Sequence, residues 1–231
     1  RYLEKSREVF DVLKKYTNKI EKVSIDESYL DLTGLGYHES IVYDLQKDVY
    51  DKTGLSVSVG LSYNKFLAKL SSDWNKPRGV MIIRESDMPE ILFPLDIRKV
   101  HGIGSKSEKK LRNIGINKVE DLYNLSYDFL TSMFKKSGEE IYYRIRGIDR
   151  REVTPNAVRK SLGTESTFEA TKNKDELINY LRDFAREVSE DLMVKEISGY
   201  TLTLKMKNEN FKLKTRSRTY DAAIYEEEDI F

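Results

Sequence analysis

The chain has 231 residues, of which 39% are hydrophobic and 34% are charged, and its formal net charge is +1. This composition is typical of a globular protein with one to three domains, and no run approaches the roughly 18 apolar residues of a membrane span, which argues against any membrane partner. The absence of cysteine excludes disulfides and thiolate metal sites and indicates a cytoplasmic location, and the presence of only two histidines argues against zinc sites and His-based triads.

The first 84 residues predict an α+β layer. Apolar residues at helical spacing predict a helix over residues 2–16, and Val23–Asp31 then alternates as a strand. A second helix and a strand over residues 55–61 follow. Asn64 is expected to cap a helix that ends near Ser72, and Val80–Ile83 predicts another short strand.

Two adjacent carboxylates, Asp26 and Glu27, interrupt the first strand pattern. Because acids are depleted in strands, the pair predicts a strand that ends in a tight turn and holds both side chains toward a cation. Hard oxygen ligands suit Mg²⁺, which commonly shares its shell with substrate phosphates. The alternative is a polar strand end with two solvated acids.

Lys76 lies directly before Pro77 and shortly before the strand that begins at Val80. Its ammonium could reach a triphosphate held by the acid pair, although most lysines are only solvated. The assignment of Lys76 therefore depends on that of the acids.

Residues 85–149 lack strand signals and predict a helical domain. Val100–Gly104, followed by Ile114–Ile116, is the pattern of a helix-hairpin-helix. Gly102 and Gly104 would allow a tight turn that brings backbone N–H groups against a phosphate, with Lys106 nearby. The alternative is a plain αα-hairpin with a glycine turn.

Residues 152–159 resemble a linker, and residues 160–231 predict a small α+β domain. Its expected elements are a strand over 160–168, a helix from about Lys174 to Lys195 and two further strands separated by Asn208–Asn210. Period-two alternation is expected to send all the cations of the last two strands to one sheet face and the apolar side chains to the other. A basic face of this kind suits a phosphate backbone, and the alternative is a solvated surface. The cations are Lys205, Lys207, Lys212, Lys214, Arg216 and Arg218.

Together, these segments resemble a Y-family translesion DNA polymerase of the DNA polymerase IV type. Ser24–Glu27 is similar to the family's S-I-D-E signature in the palm, and Asn64–Gly79 is similar to its lysine-containing palm segment. Val100–Leu111 is similar to its thumb hairpin, and Thr215–Thr219 to a basic strand of its little finger. The resemblance covers essentially the whole chain. It implies an α+β multidomain fold with a palm over residues 1–84, a helical thumb over 85–151 and a little finger over 160–231.

The resemblance also implies a chemistry. Asp26 would bridge two Mg²⁺ ions, Glu27 would help to hold the ion that activates the primer 3′-hydroxyl, and Lys76 would contact the incoming triphosphate. The substrates would be primer-template DNA and deoxynucleoside triphosphates, and a sliding clamp would be a partner. Clustered acids and a cation for the leaving pyrophosphate agree with the needs of in-line phosphoryl transfer.

The sequence departs from the family pattern in one respect that matters for activity. The family carries another metal-binding Asp and a fingers domain near its N-terminus, and nothing in this sequence matches them, since Asp31 does not fit that Asp position. The chain starts at Arg1 without a methionine. We therefore expect a partial palm, a thumb and a partial little finger that belong to an enzyme but are inactive alone.

Two alternatives from other functional classes stay open. The first is a non-catalytic, sequence-independent DNA-binding module. The second is an interaction scaffold with vestigial acids.

Overall fold

The computed structural model describes residues 1–156 and 159–231 and divides into two compact units, Arg1–Ala157 and Val158–Phe231. The predicted linker over residues 152–159 includes residues 157 and 158, which lie outside the described residues. The predicted boundary between residues 84 and 85 stays a prediction. In the described ranges, no helix combines the length and the apolar character needed to cross a membrane.

The N-terminal part of the first unit contains three helices and four short strands. In chain order they are α1 (Tyr2–Leu13), β1 (Ile20–Lys22), β2 (Ser28–Leu30), α2 (Ile41–Thr53), β3 (Val59–Ser62), α3 (Lys65–Ser72) and β4 (Val80–Ile83). The predicted cap of α3 is confirmed, because the Asn64 side chain accepts a hydrogen bond from the Leu67 N–H at 3.0 Å.

The strands of this part form two separate pairs. β1 and β2 are an antiparallel hairpin, and β3 and β4 are a parallel pair linked by α3. Of the strand pattern over Val23–Asp31, only Ser28–Leu30 is a strand, because residues 23–27 form the turn of the hairpin. α1 and α2 cover this hairpin with a core of Phe10, Val12, Leu13, Ile20, Leu45 and Val49.

Residues 85–151 are helical, as predicted. Three short 3₁₀ segments, Glu85–Asp87, Glu90–Leu92 and Ile97–Lys99, precede four helices. The helices are α4 (Ser105–Arg112), α5 (Val119–Tyr123), α6 (Tyr127–Phe134) and α7 (Lys136–Arg144). The buried residues of this region form one core with Phe66, Leu67 and Leu70 of α3 and Ile83 of β4. α3 therefore packs on the same core as the helical region.

Over residues 159–231, the second unit contains two helices and a two-stranded antiparallel sheet. They are α8 (Lys174–Val194), β5 (Gly199–Lys207), β6 (Leu213–Ile224) and α9 (Glu227–Ile230). The predicted long helix is confirmed, and the Asn173 side chain caps it by accepting from the N–H groups of Asp175 and Glu176. The predicted strand over residues 160–168 is wrong, since these residues have no helix or strand. A strand needs a hydrogen-bonded neighbour, and within the described residues β5 and β6 pair only with each other.

Candidate functional site

The turn between β1 and β2, residues 23–27, exposes both predicted carboxylates, and we call it the acid turn. The N–H groups of Val23 and Ser24 donate to the Glu27 carbonyl at 3.0 and 3.2 Å. The Ser24 hydroxyl donates to the Asp26 carboxylate at 2.6 Å and accepts from the Glu27 N–H at 3.0 Å. The tight turn predicted from the sequence is present, and Ser24 bonds the Asp26 carboxylate and the Glu27 backbone within it.

A contact from α1 fixes the tip of the acid turn. The Ser6 hydroxyl donates to the carbonyl of Ile25 at 2.5 Å. Because Ser6 and Ile25 are far apart in sequence, this contact depends on the packing of α1 over the hairpin. It holds the backbone between the strands without using either carboxylate.

α3 and the residues directly after it carry three charged side chains that form a series beginning at the acid turn. Lys69 Nζ donates to Glu27 Oε1 at 2.5 Å and lies 3.3 Å from Asp73 Oδ2. Lys76 Nζ lies 2.5 Å from Asp73 Oδ1. Glu27, Lys69, Asp73 and Lys76 therefore form a chain of alternating charge. The structure links Lys76 to the acid turn through this chain and not by a direct contact.

The charge chain changes the acidity of its two central members. Partial burial acts to lower the pKa of Lys69, but its hydrogen bond to Glu27 and the attraction of both carboxylates outweigh that effect and raise the pKa. Partial burial acts to raise the pKa of Asp73, but Lys76 and Lys69 outweigh it and lower the pKa. Both groups are thereby held in their charged forms at neutral pH.

A cleft of about 450 Å³ lies beside the charge chain. Its apolar wall is Phe66 and Leu70, and its polar lining consists of Lys69, Asp73, Lys76, Arg98, Lys99 and His101. A concave surface with this excess of cations attracts anions. The sequence analysis missed Arg98 and Lys99, although two consecutive cations directly before a glycine turn are a signal that could have identified them.

His101 also lines the cleft. Burial lowers its pKa, and the nearby positive charges of Arg144 and Arg151 lower it further.

The acid turn fits a metal site in its donor chemistry and supplies part of one. Asp26 and Glu27 offer carboxylate oxygens, the ligands that Mg²⁺ prefers. The Lys69 ammonium already pairs with Glu27, so it stands where a metal ion bound to this carboxylate would stand. In the part of the chain that the structure describes, no group of three or more His, Cys, Asp or Glu side chains could hold a metal ion.

The glycine turn of the helical region lies directly before α4. Gly102 has φ +108°, a conformation that favours glycine, and a Cβ there would lie 3.1 Å from the Arg144 guanidinium. Arg144 is buried and donates to the His101 carbonyl at 2.9 Å. This hydrogen bond stabilises the backbone of the glycine turn. Gly104 is the N-cap of α4.

The first turn of α4 presents hydrogen-bond donors next to a cation. The Glu108 N–H donates to the Gly104 carbonyl at 2.9 Å, which is the first hydrogen bond of the helix. The N–H groups of the three preceding residues therefore have no acceptor within the helix. Lys106 is exposed at this helix end. The geometry therefore has the donors that a phosphate contact requires.

The register of β5 and β6 contradicts one prediction about the basic strands. Leu204 lies opposite Arg216, Met206 opposite Lys214, and Lys205 opposite Thr215. Directly opposed residues of an antiparallel pair project from the same face. The prediction of one basic and one apolar face is therefore wrong.

The six cations are divided between the two faces and the turn. Lys214, Arg216 and Arg218 share a face with Leu202, Leu204 and Met206, which we call the β6 cation face. Lys205 and Lys207 lie on the other face, with the hydroxyl pairs Thr201–Thr219 and Thr203–Ser217, each at 2.9 Å. Lys212 precedes β6 in the turn.

The turn between the strands sets this register. The Asn208 side chain accepts from the N–H groups of Asn210 and Lys212, and Phe211 has φ +56°. A shift of one residue would exchange the faces of β6, so the alternation within each strand does not determine which side chains meet.

The strand cations are exposed and are not used in ion pairs. Within the described residues, the ion pairs of the second unit involve Arg186 and Lys195 and none of the six strand cations. Arg218 packs over the Tyr220 ring at 4.7 Å. The cations remain available to an anionic partner.

Three family models match the chain in order. The impB/mucB/samB family matches residues 1–73, the IMS family HHH motif matches residues 85–116, and the C-terminal domain of the impB/mucB/samB family matches residues 159–231. The matched ranges contain the acid turn, the glycine turn and the basic strands.

Curated relatives are similar over the full chain. The chain is 36% identical over 235 residues to DNA polymerase IV of Leptospira interrogans serovar Lai and 40% identical over 235 residues to DNA polymerase IV of Clostridioides difficile. These alignments cover 100% and 99% of the chain, but only 65% and 64% of the relatives. The chain thus spans about two-thirds of the length of the curated relatives it matches.

Solved structures with a similar fold agree with these relatives. A Y-family DNA polymerase chimera of Dbh and Dpo4 superposes with a TM-score of 0.82 at 27% identity, covering 96% of this chain and 66% of that chain. A ternary complex of Dbh superposes with a TM-score of 0.64 at 25% identity, covering 96% of this chain and 67% of that chain.

Proposed function

The chain belongs to the impB/mucB/samB family of Y-family DNA polymerases, and from this premise we propose that the protein is a template-directed DNA polymerase of the translesion type. Its substrates would be primer-template DNA and deoxynucleoside triphosphates. The observation that carries the proposal is the exposed acid turn joined through α3 to Lys76, in a chain that aligns over its full length with DNA polymerase IV.

In this proposal, the acid turn contributes two carboxylates to a pair of Mg²⁺ ions. Bound Mg²⁺ would lower the charge on the phosphates and activate the attacking 3′-hydroxyl. The chain itself positions these ligands, since Ser24 bonds the Asp26 carboxylate and the Glu27 N–H. Lys76 would stabilise the charge that develops on the leaving pyrophosphate.

We further propose that residues 1–231 alone do not extend a primer. Within the described residues, the acid turn has no third acidic ligand close enough to complete a metal site. Weak binding of Mg²⁺ at the acid turn is the expected remaining property. The proposal also includes a sliding clamp as a partner of the whole protein, and this part rests only on membership of the family.

The proposed DNA contacts are independent of base sequence. The glycine turn at Gly102 and Gly104, together with Lys106, would bind a phosphate through backbone N–H groups and one ammonium. In the second unit, the β6 cation face is the preferred contact, because three unpaired cations project from it and only two from the opposite face. The contact with a DNA backbone therefore involves one face of the sheet.

Primer extension by the whole protein tests the catalytic proposal. Asp26→Asn is expected to abolish template-dependent extension. The matched control is Asp51→Asn, which removes an exposed carboxylate that pairs with Lys47 on α2. Activity that survives Asp26→Asn, or that is lost equally in the control, would contradict the catalytic role of the acid turn.

The second candidate is a non-catalytic DNA-binding module, and the incomplete acid site favours it. This alternative predicts DNA binding by the whole protein without any template-dependent extension. The same extension assay, combined with a binding measurement, separates it from the polymerase.

A further inference from the structure

Lys69 lies between two carboxylates that belong to different elements. Its ammonium is 2.5 Å from Glu27 of the acid turn and 3.3 Å from Asp73, four residues further along the chain. The lysine side chain is 30% exposed, so it is neither fixed by burial nor free in solvent. Lys69 therefore pairs with Glu27, a proposed metal ligand, while Asp73 lies close enough to serve as a second acceptor.

A divalent cation bound by the Glu27 carboxylate would compete with the Lys69 ammonium, which bonds Oε1 of the same group. When a cation binds Glu27, the ammonium loses this partner and is repelled by the added charge. An ammonium on a four-carbon stem has three donors and can change partners without backbone movement. Asp73 already lies at the required distance.

The two oxygens of Asp73 allow it to accept Lys69 without releasing Lys76. Oδ2 faces Lys69, and Oδ1 lies 2.5 Å from the Lys76 ammonium. The position of Lys76 is therefore compatible with both arrangements of Lys69.

We propose that Asp73 is a positioning residue that takes over Lys69 when a divalent cation binds Glu27. Lys69 thereby acts as an internal counter-ion of the acid turn in the metal-free protein. The inference rests on the proposed function, because it assumes that the acid turn binds a divalent cation.

Three variants separate this exchange from simple charge effects. Lys69→Met removes the competitor, so the affinity of the acid turn for Mn²⁺ should rise by about two- to fivefold, the range of an exposed ion pair. Asp73→Asn leaves Lys69 with Glu27 alone, so the affinity should fall by a similar factor. In the double variant, Asp73→Asn should have no further effect on the affinity for Mn²⁺, because Lys69 is no longer there for Asp73 to bind.

The probe is Mn²⁺, titrated into the 231-residue chain while the broadening of the amide NMR signals of residues 23–27 is followed. This readout detects weak binding and does not depend on polymerase activity. The matched control pair is Lys47→Met and Asp51→Asn on α2, another Lys–Asp pair four residues apart, at 2.6 Å, which should leave Mn²⁺ affinity unchanged. Circular dichroism of each variant verifies folding, and Lys69→Gln repeats the test if Lys69→Met alters the spectrum.

The outcomes distinguish the inference from the proposed function. If Mn²⁺ broadens the acid turn but Asp73→Asn weakens binding equally with and without Lys69, Asp73 acts only by its charge and the inference is wrong. If Mn²⁺ does not broaden the acid turn, or if broadening persists in Asp26→Asn with Glu27→Gln, the proposed metal ligands are wrong and the inference falls with them. Loss of the Asp73→Asn effect in the Lys69→Met background supports the exchange.

Discussion

The acid turn of the first unit and the β6 cation face of the second use charge in opposite ways. At the acid turn each central charge has a partner, and the charges from Glu27 to Lys76 are linked by side chains of α3 and of the residues directly after it. On the β6 cation face the charges are exposed and unpaired among the described residues. Paired charges hold a fixed geometry for chemistry, whereas unpaired charges remain available for a partner of variable sequence and position.

The hydrophobic cores of the two units differ in size. The first unit has fully buried side chains such as Leu67, Leu111 and Ile141 under α3 and the glycine turn. In the described residues of the second unit, the buried hydrophobic residues are Ala185, Leu192 and Ile224. The acid turn thus belongs to the unit with the larger core, and the β6 cation face to the unit with the smaller one.

The strongest test of this comparison is the rate of nucleotide addition by the whole protein. Under the proposed function, Glu27→Gln and Lys76→Ala should each lower that rate by about 10²- to 10³-fold, because Glu27 would hold a metal ion and Lys76 would stabilise charge on the leaving pyrophosphate. The affinity for primer-template DNA should change little. Single-turnover kinetics measures the chemical step separately from DNA binding. Equal losses in affinity with an unchanged chemical step would show that these residues have a structural role.

The next test compares the two cores. Leu111→Ala should lower the free energy of unfolding of the first unit by about 2–5 kcal/mol, since Leu111 is fully buried. Leu204→Ala on the exposed sheet should change that of the second unit by less than about 0.5 kcal/mol.

The single tryptophan allows the two units to be followed separately. Trp74 packs against the core of the first unit, so its fluorescence reports that unit during chemical denaturation. Circular dichroism reports both units. A comparable loss in both variants would show that the second unit depends on its sheet as strongly as the first depends on its core.

A pH test examines the buried acid that connects the helical region to α3. The Asp149 carboxylate accepts from the Phe66 N–H at 2.9 Å and from Arg151 at 2.7 Å. Burial acts to raise the pKa of Asp149, but these donors outweigh it and lower the pKa below 3.8. Its ionised form therefore stabilises the fold above the unfolded pKa, and that contribution is lost as the pH falls through the lower folded pKa.

Asp149→Asn should accordingly destabilise the first unit by about 1–3 kcal/mol at pH 7. The difference from the unmodified chain should shrink below pH 3.8. Thermal unfolding over this pH range measures it, with Asp128→Asn, an exposed acid on α6, as the control. A difference that stays constant down to the lowest pH would show that the carboxylate charge is not the cause.

The smallest expected effect tests the division of the cations between the two sheet faces. Removal of one cation that binds a phosphate should reduce the slope of log affinity against log salt by about 0.9. Lys214→Ala with Arg216→Ala should therefore lower the slope by at most about two units, uniformly across DNA sequences. Lys205→Ala with Lys207→Ala, on the opposite face, should lower it less.

These slopes are measured with duplex DNA at several salt concentrations, after circular dichroism has verified folding. Equal reductions by the two double variants would indicate that the DNA contacts both faces or the sheet edge. An unchanged slope in both would contradict the second unit as a DNA contact.

The sequence determined the features that depend on neighbouring residues. The Asn64 cap, the long helix α8, the helical character of residues 85–151 and the turn at Asp26 and Glu27 follow from side-chain periodicity and local hydrogen bonding. The order of motifs was also sufficient to recognise the family.

Only the tertiary structure decided which distant side chains meet. It paired Glu27 with Lys69, brought Arg98 and Lys99 to the cleft beside α3, and left residues 160–168 without a strand partner. It also divided the strand cations between two faces, because the register of β5 and β6 depends on the turn at Asn208. Periodicity shows which residues of one element share a face, whereas the packing of elements distant in sequence decides which faces meet.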